Sequence, residues 1–520
     1  TKVSRSVLTM RLDRVPLIRV QDSGRQQGSP RFSGQYLIQP RATIAPEDLY
    51  AGKALKLTYA PEVKKFLSMS PQERIRLYRQ RHPQARPEFL KQAIHYQPRY
   101  FRYGGADLFR AYNRHTQQSE MVLIEINSTP GGLSNTPALR NPVYQKFAHF
   151  FSQTLKASPF CDKKQGVLAV VSHGQRMDPL GIAQAIAQRL KEPVHLITHD
   201  KEKLPHQQPW RVDASTGGLF VQSKEGVWHK ARGAVALLGP SSAFATQPLT
   251  LETGVLIDPP LVHRAGGVEK TRANEAFRAF NMHALNKKDA PADALIRIPK
   301  TWQTAFSDIP RVIQSLGGSA VVKLSDGNGG DGIWMIRTSD DLAKFQKAHQ
   351  EAVEANPSLQ HTRQYVVQEL LLPIAWANLT QTPAHRYNRS TLPDRNTLQR
   401  HVYDTRMLVA PLDGKWEPLG VFGRKAPGAI PTPDKIQPTT PLEKLWDILG
   451  TNLSRKSSTG WFFREEGLMV FDKPTYDSTG LSLEDLVDGY FQSIFAMQAI
   501  DKQIDWYKTL ERKLPPQTPT

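Results

Sequence analysis

The chain has 520 residues, more than a single hydrophobic core serves, so two to four packed units are expected. Its 39% hydrophobic and 22% charged content fits a globular protein, and no apolar run reaches the roughly 18 residues of a membrane helix. A single cysteine, Cys161, excludes an internal disulfide framework or a multi-thiolate metal site, and the expected setting is reducing and cytoplasmic. The formal charge of +20 favours encounters with anions, and an acidic substrate is one candidate. That charge is dispersed, with no long basic block and no zinc-finger or RNA-binding signature, so a nucleic-acid partner is not favoured. The first row carries no apolar core of a secretory signal.

In chain order, the first 100 residues read as mostly helical, with polar stretches such as SPQERIRLYRQRHPQARPEFLKQAIHY. Leu123, Ile124 and Ile126 read as a short buried strand ending at Pro130-Gly131-Gly132, a backbone suited to anion approach. From Gly166 the pattern is strand (GVLAVVSHG), amphipathic helix (DPLGIAQAIAQRL) and strand (EPVHLIT), with further strands at GAVALLGP and TGVLIDPP. Short connections between alternating strands and helices predict a small open unit with parallel strands.

A helix over VEKTRANEAFRAFNMHAL opens the next region. DIPRVIQSLG is a second helix, SAVVKLSD a strand, GIWMIRT a strand, and SDDLAKFQKAHQEAVEA a helix with Ser339 as its N-cap. QYVVQELLL is apolar and β-rich. Residues 376–400 are polar and turn-rich, a mobile loop by composition. Strands follow at HVYDTRMLVAP and EPLGVFGRKAP, and LSLEDLVDGYFQSIFAMQAIDKQIDWYKTLERKL is a helix spaced to pack on the core.

Two motifs carry chemistry. Asp326, Gly327, Gly329, Gly330 and Gly332 form a glycine loop between strands, with Lys323 three residues before it. Glycines let backbone N–H groups approach phosphate oxygens, and the lysine adds a compact positive charge. A plain hairpin turn is the alternative. The order of lysine and glycines rules out a Walker A loop, and a following strand rules out a Rossmann fingerprint. A protein kinase would also show H-R-D and D-F-G, and neither is present. The second motif is Glu125-Ile126-Asn127, whose polar side chains alternate onto one face of a strand. A carboxylate and an amide oxygen so placed suit magnesium bridging nucleotide phosphates, with Asp107 as a third ligand from a neighbouring strand; a polar strand edge is the alternative. Asp413 and Asp472 stand lower as ligands.

Together these residues resemble the ATP-grasp ligases. Lys270, Lys323, the Gln368-Glu369 hinge with Leu371, and Arg406 stand in the order of that family's lysines, hinge and arginine. The E-x-N element lies some 200 residues ahead of the loop instead of after it. This resembles the circularly permuted members, similar to glutathionylspermidine synthase and related peptide ligases, although Arg102 and Asp107 are spaced more widely than their R-x-D. The resemblance covers roughly residues 100–475.

It implies an α/β chain with α+β elements: residues 1–155 a helical region plus the magnesium-binding segment, 156–265 a pre-ATP-grasp α/β unit, 266–375 a mobile glycine-loop lid, and 376–520 the rest of the core and a terminal helix. It also implies ATP and Mg2+ as cofactors and a carbon–nitrogen ligase acting through an acylphosphate. The substrates would be a carboxylate-bearing small molecule or peptide and an amine. By the same resemblance Lys270, Lys323 and the loop bind phosphates, Gln368, Glu369 and Leu371 contact adenine, and Asp107, Glu125 and Asn127 hold magnesium. Arg406, with Arg424 as a second candidate, stabilises the transferring phosphate; a salt bridge to Asp404 is the alternative for Arg406. A non-catalytic nucleotide-binding scaffold, or a ligase acting on an RNA carrier, are the rival functions.

Overall fold

The computed structural model describes residues 35–113, 118–139, 142–172, 177–199, 203, 205–213, 218–237, 254–257, 260–267, 269–325, 333–355, 365–370, 401–428, 450–451, 453–457 and 460–511. The glycine loop 326–332, Leu371 and the segment 376–400 lie outside them. The fold is mixed α/β with several sheets.

The described chain opens with β1 (Gln35–Ile38), a strand within the region read as mostly helical. QYLI pairs antiparallel with Val194–Ile197, and such a distant partner leaves no local periodicity. Four short helices follow: Gly52–Lys56, Pro61–Ser68, Pro71–Arg81 and Pro87–Ile94. The last three start on proline, whose missing N–H costs nothing there, and Ser70 with Glu73 closes a capping box.

Next come β2 (Gly104–Asn113) and β3 (Gln118–Ser128), paired antiparallel. The α/β unit then supplies β4 (Val167–Ser172), β5 (Val194–Thr198), β6 (Trp210–Val212), β7 (Leu219–Gln222), β8 (Trp228–Leu237) and β9 (Val255–Ile257). Strands β5, β4, β8 and β9 run parallel, as their apolar runs predict. β1 and the β6–β7 hairpin extend the sheet antiparallel on either side.

A second unit carries β10 (Thr301–Thr304), β11 (Ala320–Leu324), β12 (Ile333–Ile336) and β13 (Tyr365–Glu369), in the antiparallel order β10-β13-β11-β12. Helices Ile309–Ser315 and Ser339–Ala355 cover it through Ile309, Ile313 and Phe345, which cluster with Tyr365 of β13. The N-cap of the second helix is corrected: Thr338, not Ser339, bonds the free amide of Asp341, because Ser339 is already helical.

β14 (Tyr403–Leu412) and β15 (Lys415–Lys425) form a hairpin, β16 (Ser454–Ser457) and β17 (Gly460–Phe463) a separate one, and β18 (Leu468–Met469) joins the first. The central sheet has the order β18-β15-β14-β2-β3, so strands from before the α/β unit and after the four-stranded unit share one sheet. The 29-residue helix Leu483–Glu511 packs beneath it in the largest apolar cluster. Its buried Asp501 accepts the amides of Tyr100 and Phe101 at 2.7 Å each, which fixes the entry into β2. Helix Val143–Lys156 wedges Phe147, Phe150 and Phe151 between the parallel sheet and the central one.

Candidate active site

The central sheet aligns the candidate residues by register. Asp107 on β2 is opposite Glu125 on β3 and opposite Arg406 on β14, while Asp404 on β14 is opposite Arg424 on β15. Side chains two residues apart share a face, so Asp404 and Arg406 project together with Glu125 and Asn127. The pairing slips at Asp107/Leu108, leaving Ile124 as the extra residue on β3. Bulges of this kind re-aim side chains, and this one immediately precedes Glu125.

The arginines and aspartates form a closed ladder. Arg406 grips Asp107 through two bonds, Nε to Oδ1 at 2.6 Å and a terminal nitrogen to Oδ2 at 2.7 Å. Arg424 lies 2.9 Å from the same Asp107 Oδ2 and donates to both oxygens of Asp404, one at 2.8 Å. Thr451 completes the row with a 2.6 Å bond to Asp404. Burial pushes the Asp107 carboxyl up, but the charges of Arg406 and Arg424 outweigh it and hold the group at about 2. Arg424 is opposed by its own burial and held charged by Asp107 and Asp404. The ladder settles Arg406 on Asp107, not on Asp404, which belongs to Arg424. Cross-strand register decides this, and sequence does not show it.

The other wall is cationic. Lys270 is the first residue of helix Lys270–Asn286, with its amide bonded to the Ser325 carbonyl at 3.1 Å. Glu269 caps that helix by accepting from Thr271 at its amide and hydroxyl, and Ser325 also bonds it. Lysine in a first turn opposes the helix dipole, so local stability does not explain it. Lys323 on β11 is only 7% exposed. Burial lowers its pKa from 10.5 to about 8; Lys270 adds to the lowering, and Glu125 and Asp107 oppose it. Lys270 Nζ stands 3.4 Å from Glu125 Oε1. Glu125, Lys270, Lys323 and Gln368 open on one cleft, with Phe277 and Ile298 as apolar wall. Gln368 is buried and donates to Thr301 Oγ1 at 3.1 Å, and the Glu369 amide donates to Lys300.

Asn127 donates to Asp107 Oδ2 at 3.4 Å, which leaves its amide oxygen directed elsewhere. Both oxygens of Asp107 are engaged by Arg406. Among the described residues, no three His, Cys, Asp or Glu side chains come together as a ready-made cation site. Asp413 belongs to the β14–β15 turn, where His149 and Gln153 bond it, and Asp472 is the N-cap of helix Lys473–Thr479. His401 is buried and bonded to the Ala426 carbonyl at 3.0 Å. Cys161 is free and exposed.

The Pro130-Gly131-Gly132 turn does meet an anion, but it is the protein's own, a correction to the expected ligand approach. Buried Asp178 accepts from the amides of Gly132 at 2.5 Å and Ser134 at 2.7 Å. Sequence reading passed over Asp178; the available signal was an acidic residue before proline at a helix start.

No family model matches the chain, and no curated protein matches it. Solved structures overlap it loosely. A glutathione synthetase-like effector from Globodera pallida is 12% identical, with 71% of this chain and 86% of that one covered and a TM-score of 0.39. D-alanyl-alanine synthetase A from Vibrio cholerae is 14% identical, covering 65% and 98%, with a TM-score of 0.31. A RimK domain ATP-grasp protein from Sphaerobacter thermophilus is 14% identical, covering 62% and 98%, with a TM-score of 0.28. The functional reading below rests on the site's own geometry. Among the described residues, no helix is long and apolar enough to cross a membrane.

Proposed function

We propose that the chain is an ATP- and magnesium-dependent carboxylate–amine ligase of the circularly permuted ATP-grasp kind, forming an amide or peptide bond through an acylphosphate and releasing ADP and phosphate. The observation that carries it is the pair Lys270 and Lys323, two lysines sharing a buried cleft and facing the carboxylate of Glu125. Like charges held together away from water are costly, and a polyanionic ligand is what relieves them. Strands from both ends of the chain in one central sheet support the permuted connectivity.

In this reading the two lysines neutralise nucleotide phosphates, and the glycine loop 326–332 covers them. Phe277 and Ile298 shape an apolar slot for the base, with Gln368, Glu369 and Leu371 at its hinge. Arg406, half-buried and rigidly aimed by Asp107, stabilises charge on the transferring phosphoryl group. Arg424 is spent on two carboxylates and acts by holding Asp107. The donor chemistry fits magnesium through Glu125 and the Asn127 amide oxygen, hard ligands on one strand face, with nucleotide oxygens completing the shell. Asp107 fits as the residue that orients Asn127 and Arg406. Bound magnesium would supply charge neutralisation between phosphate oxygens.

The test is direct. With ATP, magnesium and pools of carboxylates and amines, the protein should release ADP and phosphate, and Glu125→Ala should abolish it. AMP and pyrophosphate as products would sink the acylphosphate route.

A further inference from the structure

The strand that carries Glu125 and Asn127 is paired along β2 and ends in a tight turn. Two residues past Asn127 the chain turns through Thr129, at φ 45°, and Gly132, at φ 122°. A Cβ on Gly132 would lie 2.5 Å from the Phe422 ring, so only glycine serves there. Such a turn persists only if its surroundings fix it. Tyr103 donates to the Pro130 carbonyl at 2.9 Å, and Arg406 reaches the Gly131 carbonyl at 3.4 Å. The amides of Gly132 and Ser134 are both held by one carboxylate, that of Asp178, in the first turn of helix Met177–Leu190 of the α/β unit. Tyr144 also donates to Asp178 at 3.2 Å, its ring seated against Gly181, where a Cβ would clash at 2.4 Å.

We propose that Asp178 is a positioning residue for the magnesium ligands. Through it the α/β unit fixes the turn that ends β3, and so the aim of Glu125 and Asn127. The inference rests on the ligase reading for what those ligands hold, but the clamp itself does not. An acceptor-only carboxylate matches two converging N–H donors. An amide in its place offers one oxygen and turns a donor toward the other N–H.

Asp178→Asn should therefore speed hydrogen exchange at Gly132 and Ser134. It should also raise the magnesium concentration for half-maximal ATP turnover by about 10- to 100-fold, as changes behind metal ligands do. Tyr144→Phe keeps both amide bonds and should lower the melting temperature without moving the magnesium midpoint. Unchanged exchange at the two amides in Asp178→Asn would overturn the clamp, whatever the activity. Faster exchange with an unmoved magnesium midpoint in an active enzyme would make Asp178 structural only and overturn its positioning role. A wild type that neither binds nor turns over magnesium–ATP would overturn the ligase reading and this role with it, the exchange data alone still deciding the clamp.

Discussion

The two walls of the site, the arginine–aspartate ladder and the lysines of the cleft, solve opposite problems with similar residues. On the central sheet, Arg406, Asp107, Arg424 and Asp404 alternate in sign across three strands, and every carboxylate oxygen among them accepts a bond. Opposite them, Lys270 and Lys323 share one carboxylate, Glu125, and burial works against the charge of Lys323. The balanced wall is built for rigidity. The unbalanced wall holds an excess of positive charge, which costs stability until an anion arrives. On the proposed ligase reading, the difference separates the part that orients from the part that binds.

Breaking the balanced wall should have the largest effect. Asp107→Asn removes the anion shared by the buried Arg424 and the half-buried Arg406 and leaves Arg406 free to swing. Removing one partner of a buried pair typically costs about 3–5 kcal/mol, and denaturant unfolding should show a loss of that order, with turnover lost as well. The ladder also predicts acid behaviour. Asp107 is held at about 2 against 3.8 unfolded, so its contribution is complete above pH 3.8 and disappears as pH falls through about 2. Acid unfolding of the wild type and Asp107→Asn should converge across that interval.

Breaking the unbalanced wall should move stability the other way. Lys323→Met keeps the stem and deletes the penalised charge. A folded pKa of about 8 against 10.5 unfolded limits that penalty to about 3 kcal/mol, so the variant should be more stable at neutral pH by up to that amount, yet fail to bind ATP. The unfolded chain binds more protons between the two values, so the wild type gains stability as pH rises from about 8 to 10.5. The variant's advantage should shrink over the same range. Calorimetry at pH 7, 9 and 10.5 on both proteins reads this; a variant less stable than the wild type at pH 7 would refute the account of this wall.

The sequence carried these two walls unequally. The strands of the four-stranded sheet, the parallel unit and the long terminal helix were legible because each has its own period of apolar residues, as in GVLAVVS or AVVKL. Lys323, Glu125 and Asn127 were legible as short motifs, and Lys270 through the family resemblance alone. The ladder was not, because it depends on which residue of β14 faces which residue of β2 and β15, and register is fixed by long-range pairing. Arg406 and Asp404 stand two apart in sequence and look like partners, whereas each takes its partner from another strand. β1 was invisible for the same reason, and Asp178 showed only as an acidic residue at a helix start, since their partners are strands and amides elsewhere along the chain.

The smallest predicted effect tests how far the rigidity of the balanced wall extends. Thr451 stands at the end of the ladder, touching Asp404 at 2.6 Å and neither Arg406 nor Asp107. Thr451→Val keeps the shape and removes one hydrogen bond to a charged group, a loss of about 1.5–3 kcal/mol if Asp404 finds no substitute. Asp404 keeps both bonds from Arg424, so the lower end is expected, read as a small shift of the unfolding midpoint. Turnover should stay within about threefold of the wild type, because the Arg406–Asp107 grip is made by other atoms. A large fall in turnover with little loss of stability would mean that the four charges move as one unit, and that Asp404 is as much a part of aiming Arg406 as Asp107 is.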